Sequence, residues 1–111
     1  MRTDACGAVI SFIGTVRSES NQGEIVTALK IEPSDENAEA RLSEIEKEIR
    51  QRWPIHNVVI HRRIGKLQVG EVALVVAVAA IHRQEAFQAC EYAVDMLKKG
   101  GITVEQDILL K

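Results

Sequence analysis

Apolar and polar residues alternate along this chain with two distinct periods, one typical of helices and one of strands. Between residues 35 and 53 an apolar side chain returns every three or four positions, which predicts an amphipathic helix with charges on its other faces. A second stripe predicts a helix from about residue 84 to residue 99, with Gly100 and Gly101 as its C-cap. The two stripes consist of Ala38, Leu42, Ile45, Ile49 and Trp53, and of Ala86, Phe87, Cys90, Ala93, Val94 and Leu97.

Segments rich in Val, Ile and other β-formers predict five strands around these helices. The strands span residues 6–17, 24–32, 57–65, 72–81 and 102–110. The fourth is apolar on both faces, which is typical of a central strand covered on both sides. The first two could pair as a hairpin across a polar loop. Pro33 ends the second strand, and Ser34 is then the expected N-cap of the first helix.

The order of these elements, β-β-α-β-β-α-β, predicts an α+β fold with helices packed on a mainly antiparallel sheet. A length of 111 residues suits one hydrophobic core, so we expect residues 1–111 to form a single domain. Apolar residues make up 46% and charged residues 27%, and the net charge of −2 gives no bulk attraction to nucleic acid or anionic membranes. The longest apolar run has about half the length of a membrane-crossing helix.

Cys6 and Cys90 are the only cysteines, and they show no metal-ligand spacing. The pattern favours two buried or half-buried thiols in a reducing compartment, and the start of the chain has no apolar stretch of signal-peptide length. Cys90 falls in the apolar stripe of the second helix, away from any group that would activate a thiol, so we exclude it as a nucleophile. We therefore expect a cytoplasmic protein with no bound metal.

Cationic residues stand at both ends of the second helix. His82 and Arg83 lie where a strand gives way to the helix, and a helix N-terminus beside an arginine is a good receptor for phosphate or carboxylate. A solvated arginine beside a histidine that merely starts the helix is the alternative. Lys98 lies in the last turn, where the helix dipole favours lysine with or without a chemical role. Residue chemistry by itself indicates an anion-binding α+β domain.

Two strand ends carry further cations. Arg17 closes the first strand, five residues after Phe12, and this odd offset predicts that the two side chains lie on opposite faces. Arg62 and Arg63 are neighbours on one strand, so we expect at most one of them to face a given pocket. The glutamates of the first helix are expected to form a solvated face.

Three stretches in this order and spacing resemble one known family. "GAVISFIGTVR", "RRIGKLQVGE" and "VAVAAIHRQEAFQACEYAVDMLKK" are similar to the large, catalytic subunit of molybdopterin synthase, the MoaE family, from about Cys6 to Lys99. The resemblance implies a hammerhead-like α+β fold. It also implies a sulfurtransferase that converts cyclic pyranopterin monophosphate into molybdopterin. The sulfur would come from the thiocarboxylate at the Gly-Gly tail of a small ubiquitin-like subunit, in a heterotetramer built on a homodimer.

The resemblance also assigns roles to residues of this chain. The essential lysine of the family falls on Lys98, which is therefore the expected catalytic residue. The residues expected to bind the substrate are Phe12, Arg17, His82 and Arg83. No cofactor is implied.

Arg83 and Lys98 are too far apart to serve one small substrate within one chain. They are fifteen residues apart, so roughly 22 Å separates them along a helix that rises 1.5 Å per residue. Two chains related by a two-fold axis could instead bring Lys98 of one to His82 and Arg83 of the other. We therefore expect a homodimer with two shared sites.

The chain departs from the family pattern at several places, one of which is Ser34, where the family usually has a tyrosine. Glu105 stands where the family carries a second lysine, for which Lys111 is a possible replacement, and Arg62 and Arg63 stand where the family has His-Arg. These departures leave an alternative, a non-catalytic paralogue that binds the small sulfur-carrier subunit or a pterin phosphate without turnover. A third reading is a pterin or nucleotide anion-binding protein with other chemistry.

Overall fold

The computed structural model describes residues 5–99 and 101–110. Gly100 and Lys111 lie outside the described residues, so the C-cap prediction is tested only at Gly101 and the Lys111 hypothesis is not tested. The elements, in chain order, are β1 (Ala8–Thr15), β2 (Val26–Pro33), α1 (Ala38–Arg52), β3 (Ile55–Arg62), β4 (Gly65–Gln68), β5 (Val72–Ala80), α2 (Arg83–Lys99) and β6 (Thr103–Leu109). The predicted order holds, with β4 added. Gly101 has the positive φ of +63° that a glycine after a helix adopts, as predicted.

The strands form two antiparallel sheets of three strands each. The first has the order β1-β5-β3, so the apolar β5 is central as predicted, and the second has the order β4-β2-β6. The predicted hairpin of β1 with β2 is wrong, since β1 pairs with β5 along its whole length and β2 pairs with β4 and β6. Between the end of β1 and the start of β2, the isolated bridge of Glu19 with Ile25 and the hydrogen bond from the Val26 N–H to the Ser18 carbonyl at 2.9 Å close the polar loop. Strand β1 therefore pairs with the distant apolar strand β5 and not with β2, the next strand along the chain.

Both helices pack on the first sheet and bury its main core. The predicted stripe of α1 is confirmed, because Ala38, Leu42, Ile45 and Ile49 are buried and Trp53 packs against them half-buried. In α2 the buried residues are Ala86, Ala89, Cys90, Ala93 and Leu97. The prediction that Phe87 is buried is wrong, since it is 56% exposed, and Val94 is only half-buried. Small side chains at Ala86, Ala89 and Ala93 let α2 approach the sheet closely and turn Phe87 outwards.

The start of α1 differs from the prediction. The helix begins at Ala38 rather than at residue 35, and Ser34 is not its N-cap. Instead, the Ser34 Oγ accepts a hydrogen bond from Nη2 of Arg41 at 2.6 Å, and its backbone N–H donates to the Ile102 carbonyl at 3.0 Å. The Asp35 carboxylate accepts the backbone N–H of Asn37 at 2.8 Å. Ser34 therefore joins the start of α1 to the segment that follows α2.

Strand β4 lies where the sequence predicted only a turn. It pairs with β2 from Gly65 opposite Ile31 to Gln68 opposite Ala28. The reversal itself is short, and Gly70 supports it with φ +89°. The extra strand completes the second sheet beside the C-terminal end of α2.

Candidate functional site

A cavity of about 750 Å³ lies between the two sheets and the C-terminal end of α2. It brings together three of the five predicted site residues, Phe12, Arg17 and Lys98. The charged residues that line it are Arg17, Glu19, Arg62, Arg63, Lys98, Glu105 and Asp107. Four cations against three carboxylates give the lining a small positive excess, which suits an anionic ligand.

The other two predicted site residues lie at the opposite end of α2. His82 and Arg83 are exposed and line a shallow depression together with Gly7, Ile81 and Gln84. Since Arg83 begins α2 and Lys98 lies in its last turn, about 22 Å of helix separates them at 1.5 Å per residue. One chain therefore holds the predicted site as two separate parts, as the spacing indicated.

Phe12 and Arg17 line the same cavity in spite of their odd spacing. Phe12 pairs with Val76 of β5, so its half-buried ring lies on the helix-covered face of the first sheet. Strand β1 ends at Thr15, and its register shifts between Gly14 and Thr15, so the strict alternation of faces stops before Arg17. Every residue from Phe12 to Arg17 lines the cavity, so this shared lining does not test the predicted opposite faces, which stay a prediction. The Nη2 of Arg17 donates to Oδ1 of Asn21 at 3.1 Å, and its side chain is exposed at the cavity mouth.

Lys98 is an exposed residue of the last turn of α2. It forms no ion pair with any carboxylate in the part of the chain that the structure describes. Glu105 lines the same cavity but is not paired with Lys98. The lysine ammonium therefore keeps its donors available to a ligand.

Arg62 and Arg63 both line the cavity, so the prediction that at most one of them faces a given pocket is wrong. Strand β3 ends at Arg62, so the alternation of faces along the strand does not extend to Arg63. Arg63 is exposed; its Nη1 lies 2.9 Å from Oε2 of Glu71. The Arg62 side chain is only 8% exposed; its Nη2 lies 2.6 Å from Oε1 of Glu39. The alternation along β3 could have predicted the burial of Arg62, because Arg62 lies on the same strand face as the buried Val58 and Ile60.

Hydrogen bonds from Arg41 fix the turn that follows α2. Its Nη2 donates to the Gly101 carbonyl at 3.1 Å as well as to Ser34, and its Nη1 lies 3.1 Å from Oδ1 of Asp35. The backbone N–H of Asn37, and after it Arg41, hold the pKa of the Asp35 carboxyl below its usual range. Arg41 thus ties the start of α1 to the helix end that carries Lys98.

Neither a metal site nor a reactive thiol emerges from the described residues. No group of three or more His, Cys, Asp or Glu side chains among residues 5–99 and 101–110 could hold a metal ion. Cys90 is buried, and burial raises the pKa of its thiol, which keeps it protonated. No helix in that part of the chain is long and apolar enough to cross a membrane.

Fold and cavity together define an α+β protein with a cavity lined by charged residues at the end of its second helix. The MoaE protein family model matches residues 1–100, and the chain belongs to that family. A Nostoc protein named molybdopterin synthase catalytic subunit is 43% identical over 95 residues, which are 85% of this chain and 57% of that protein. The chain thus spans somewhat over half the length of this relative.

Solved structures confirm the α+β fold. The crystal structure of molybdopterin synthase from Staphylococcus aureus matches with a TM-score of 0.89 at 34% identity, covering 99% of this chain and 80% of that one. A complex of subunits 1 and 2 of the molybdopterin-converting factor from Helicobacter pylori matches with a TM-score of 0.74 over 95% of this chain and 68% of that one. At 17% identity the second match concerns the fold alone.

Proposed function

We propose that this chain is the catalytic subunit of a molybdopterin synthase. It transfers sulfur from a thiocarboxylated, ubiquitin-like small subunit to cyclic pyranopterin monophosphate, which becomes the molybdopterin dithiolene. The observation that carries the proposal is the unpaired Lys98 in a cavity that it shares with Arg17 and Phe12. Membership of the MoaE family and the names of the relatives support it.

The charge of the cavity suits both reactants of this reaction. A phosphate and a thiocarboxylate are anions, and Arg17 and Lys98 supply charge-assisted donors for such groups. A tail that ends in two glycines has no side chains, so it is narrow enough to enter between the two sheets. Membership of the MoaE family, with a relative named molybdopterin synthase catalytic subunit, supports a small-subunit partner here.

The separation of the two cationic regions supports a shared site. Lys98 lies in the cavity, whereas His82 and Arg83 lie about 22 Å away along α2, given 1.5 Å per residue. In a two-fold homodimer the N-terminal end of α2 in one chain faces the cavity of the other. Two small subunits then complete a heterotetramer. A cytoplasmic location, expected from the use of cysteine, belongs to the same proposal.

Lys98 acts in this proposal as a fixed positive charge. The thiocarboxylate sulfur attacks a substrate carbon and displaces an oxygen, and water then attacks the carbonyl carbon of the resulting thioester, so that the acyl C–S bond breaks and the tail ends as a carboxylate. The attack by water places negative charge on the carbonyl oxygen, and an ammonium group near that atom stabilises the transition state. Arg17 and the partner chain's copies of His82 and Arg83 hold the phosphate and the pterin ring. Phe12 forms part of the wall. A nucleophilic role for the Lys98 amine is the chemical alternative.

The carboxylates of the cavity favour a second candidate function. Glu19, Glu105 and Asp107 line the same space as Lys98 and weaken the attraction for an anion. The chain could then be a non-catalytic paralogue that binds the small sulfur-carrier subunit or a pterin phosphate without turnover. Turnover by the purified protein separates the two functions.

The test is reconstitution of sulfur transfer with the Lys98→Ala variant. The purified chain is mixed with a thiocarboxylated small subunit and cyclic pyranopterin monophosphate, and dithiolene formation is measured. We expect wild-type turnover and a loss of about a hundredfold or more in Lys98→Ala, the usual effect of removing a group that stabilises an oxyanion.

The matched control is Lys99→Ala, which removes the neighbouring exposed lysine that does not line the cavity. It should turn over like the wild type, and both variants should still bind the small subunit. Absence of turnover in the wild-type chain would favour the non-catalytic function. Normal turnover in Lys98→Ala would refute the role of Lys98.

A further inference from the structure

Arg62 is a buried cation at the wall of the cavity with part of its hydrogen-bonding capacity unused. Its Nη2 is 2.6 Å from Oε1 of Glu39, while its Nε and Nη1 are buried and have no hydrogen-bond partner. Buried polar groups in folded proteins are nearly always hydrogen-bonded, so two such atoms on one guanidinium need an explanation. The fold alone does not supply one, because an apolar side chain would fill this position on β3 at no desolvation cost.

Glu39 holds the guanidinium from outside the cavity. Its side chain is 81% exposed in the first turn of α1, and it is not among the residues that line the cavity. An exposed carboxylate returns to water easily, so the ion pair restrains Arg62 without trapping it. The cavity carboxylates Glu19, Glu105 and Asp107 make no hydrogen bond or ion pair with Arg62 in the described part of the chain.

The other cations of the cavity do not duplicate Arg62. Arg63 is engaged by Glu71 at 2.9 Å, and both side chains are at least one-third exposed. Arg17 and Lys98 are exposed residues at the ends of their elements. Arg62 is the most deeply buried charge in the lining, and a buried cation discriminates more strongly for an anion than an exposed one does.

We propose that Arg62 is an oxyanion-binding residue of this cavity and that the ion pair with Glu39 holds its side chain in place until a ligand binds. When a carboxylate, thiocarboxylate or phosphate group enters, the guanidinium turns towards it, and the unused donors receive the oxygen atoms of the ligand. The proposal rests on the proposed function and extends it, since it adds a buried anion subsite to the cavity that Lys98 lines. It assigns Arg62 to binding and not to bond breaking.

The proposal is tested by NMR titration of the full-length protein with two probes. One probe is inorganic phosphate and the other is a short peptide that ends in a Gly-Gly carboxylate, and the Arg62 Nε–H signal reports contact. We expect saturable binding of at least one probe with a shift of that signal, and the probe that binds more tightly identifies the source of the oxyanion. The Arg62→Gln variant should bind it about tenfold more weakly, because a charge-assisted hydrogen bond is lost.

Two further variants separate a binding role from a structural one. Glu39→Gln removes the restraining charge and should bind the probe as tightly as the wild type or more tightly. Arg50→Gln is the matched control. Arg50, in α1, donates a hydrogen bond at 2.6 Å to Asn57 of β3, the strand that carries Arg62, but Arg50 does not line the cavity. It should bind like the wild type.

The proposal is overturned if Arg62→Gln binds both probes like the wild type, or if Glu39→Gln weakens binding as much as Arg62→Gln. Should Arg62→Gln fail to fold, the Glu39→Gln titration decides, and weakened binding there overturns the proposal. Binding needs no turnover, so a failure of sulfur transfer leaves this test intact. Conversely, if Arg62 proves not to bind either probe, the proposed role of Lys98 in sulfur transfer still stands.

Discussion

At the scale of single residues, we propose roles for the cations of the cavity from the partner that each has within the chain. Arg63 is paired with Glu71, Arg62 with Glu39, and Arg17 with the Asn21 amide. Lys98 lacks such a partner among the described residues. This difference is the physical reason to assign the chemistry to Lys98 and the binding of anions to the arginines.

Glu71 gives a residue-scale prediction about pH. The backbone N–H of Gln68, and after it Arg63, hold the pKa of the Glu71 carboxyl below its usual range. A lowered pKa in the folded state stabilises the protein above the ordinary glutamate value, and this stabilisation is lost as the pH falls through the lowered one. We therefore expect Glu71→Gln to melt below the wild type at pH 7, and the difference to shrink in acid.

The measurement is the melting temperature of both proteins across that pH range. Glu44→Gln is the control, because Glu44 is an exposed carboxylate of α1, and such surface changes usually alter the melting temperature by about one or two degrees. A Glu71→Gln deficit of equal size at every pH would contradict the assignment to charge.

Residue roles could be predicted from the sequence only in part. The apolar stripe of α1 and the exclusion of Cys90 followed from local periodicity, and the structure agrees with both. The glutamates of α1 were predicted to be solvated, and Glu39 is indeed 81% exposed, but the sequence did not reveal that Glu39 pairs with Arg62 or that Glu48 accepts a hydrogen bond from Tyr92. These contacts join residues 23 and 44 positions apart, and no local pattern encodes them.

At the scale of elements, α2 separates the two cationic regions by its length, and close packing fixes its start. Gly7 precedes β1, and its N–H donates to the Ala80 carbonyl at 3.1 Å at the end of β5. A Cβ atom on Gly7 would lie 2.3 Å from the backbone oxygen of Ile81. The segment that leads into His82 and Arg83 is therefore packed against bare backbone.

This contact predicts that Gly7→Ala destabilises the protein. The methyl group meets a backbone atom that cannot rotate away, so β1 or the start of α2 must shift, at a cost of about 1–3 kcal/mol. The measurement is the free energy of unfolding in urea. Gly14→Ala in β1 is the matched control, because its Cβ would lie 3.3 Å from a ring carbon of Phe12, a side-chain atom that can move.

Gly14→Ala should therefore lose less stability than Gly7→Ala. Equal stability of Gly7→Ala and the wild type would show that the start of α2 is free to move.

Element types were more predictable than element partners. Periods of 3.6 and 2 identified both helices and five strands, because each pattern is local. Strand β4 was missed since it has four residues, Gly65 to Gln68, of which only Leu67 is buried. The two sheets were missed because pairing depends on contacts between distant segments, such as β2 with β6.

At the scale of the whole molecule, the cavity lies between two hydrophobic cores. The larger is formed by the helices on the first sheet, and the smaller contains Val16, Ile31 and Leu67. We propose that both cores belong to one domain, since Val16 and Ile31 also line the cavity that holds Lys98. The molecule is elongated and measures 51 by 27 by 21 Å. The two ends of α2 lie far apart because of the length of the helix.

We propose that a second chain supplies the missing half of each site. In the proposed two-fold dimer each site takes Lys98 from one chain and His82 with Arg83 from the other. The family resemblance placed these residues in one site, and the length of α2 then predicted that two chains share it. In the structure of one chain the two cationic regions are separate, which supports this proposal.

The most direct measurement is sulfur transfer by mixed dimers of Lys98→Ala and Arg83→Ala chains. Each variant by itself should be inactive, but a mixed dimer contains one site with both residues intact. Random mixing in equal amounts then restores about a quarter of wild-type turnover, because half of the dimers are mixed and each has one intact site. In the control, Lys98→Ala chains are mixed with chains that carry both Lys98→Ala and Arg83→Ala. No dimer then has an intact site, so we expect no turnover. If the first mixture stays as inactive as this control, although mixed dimers have formed, the two residues do not act across the dimer.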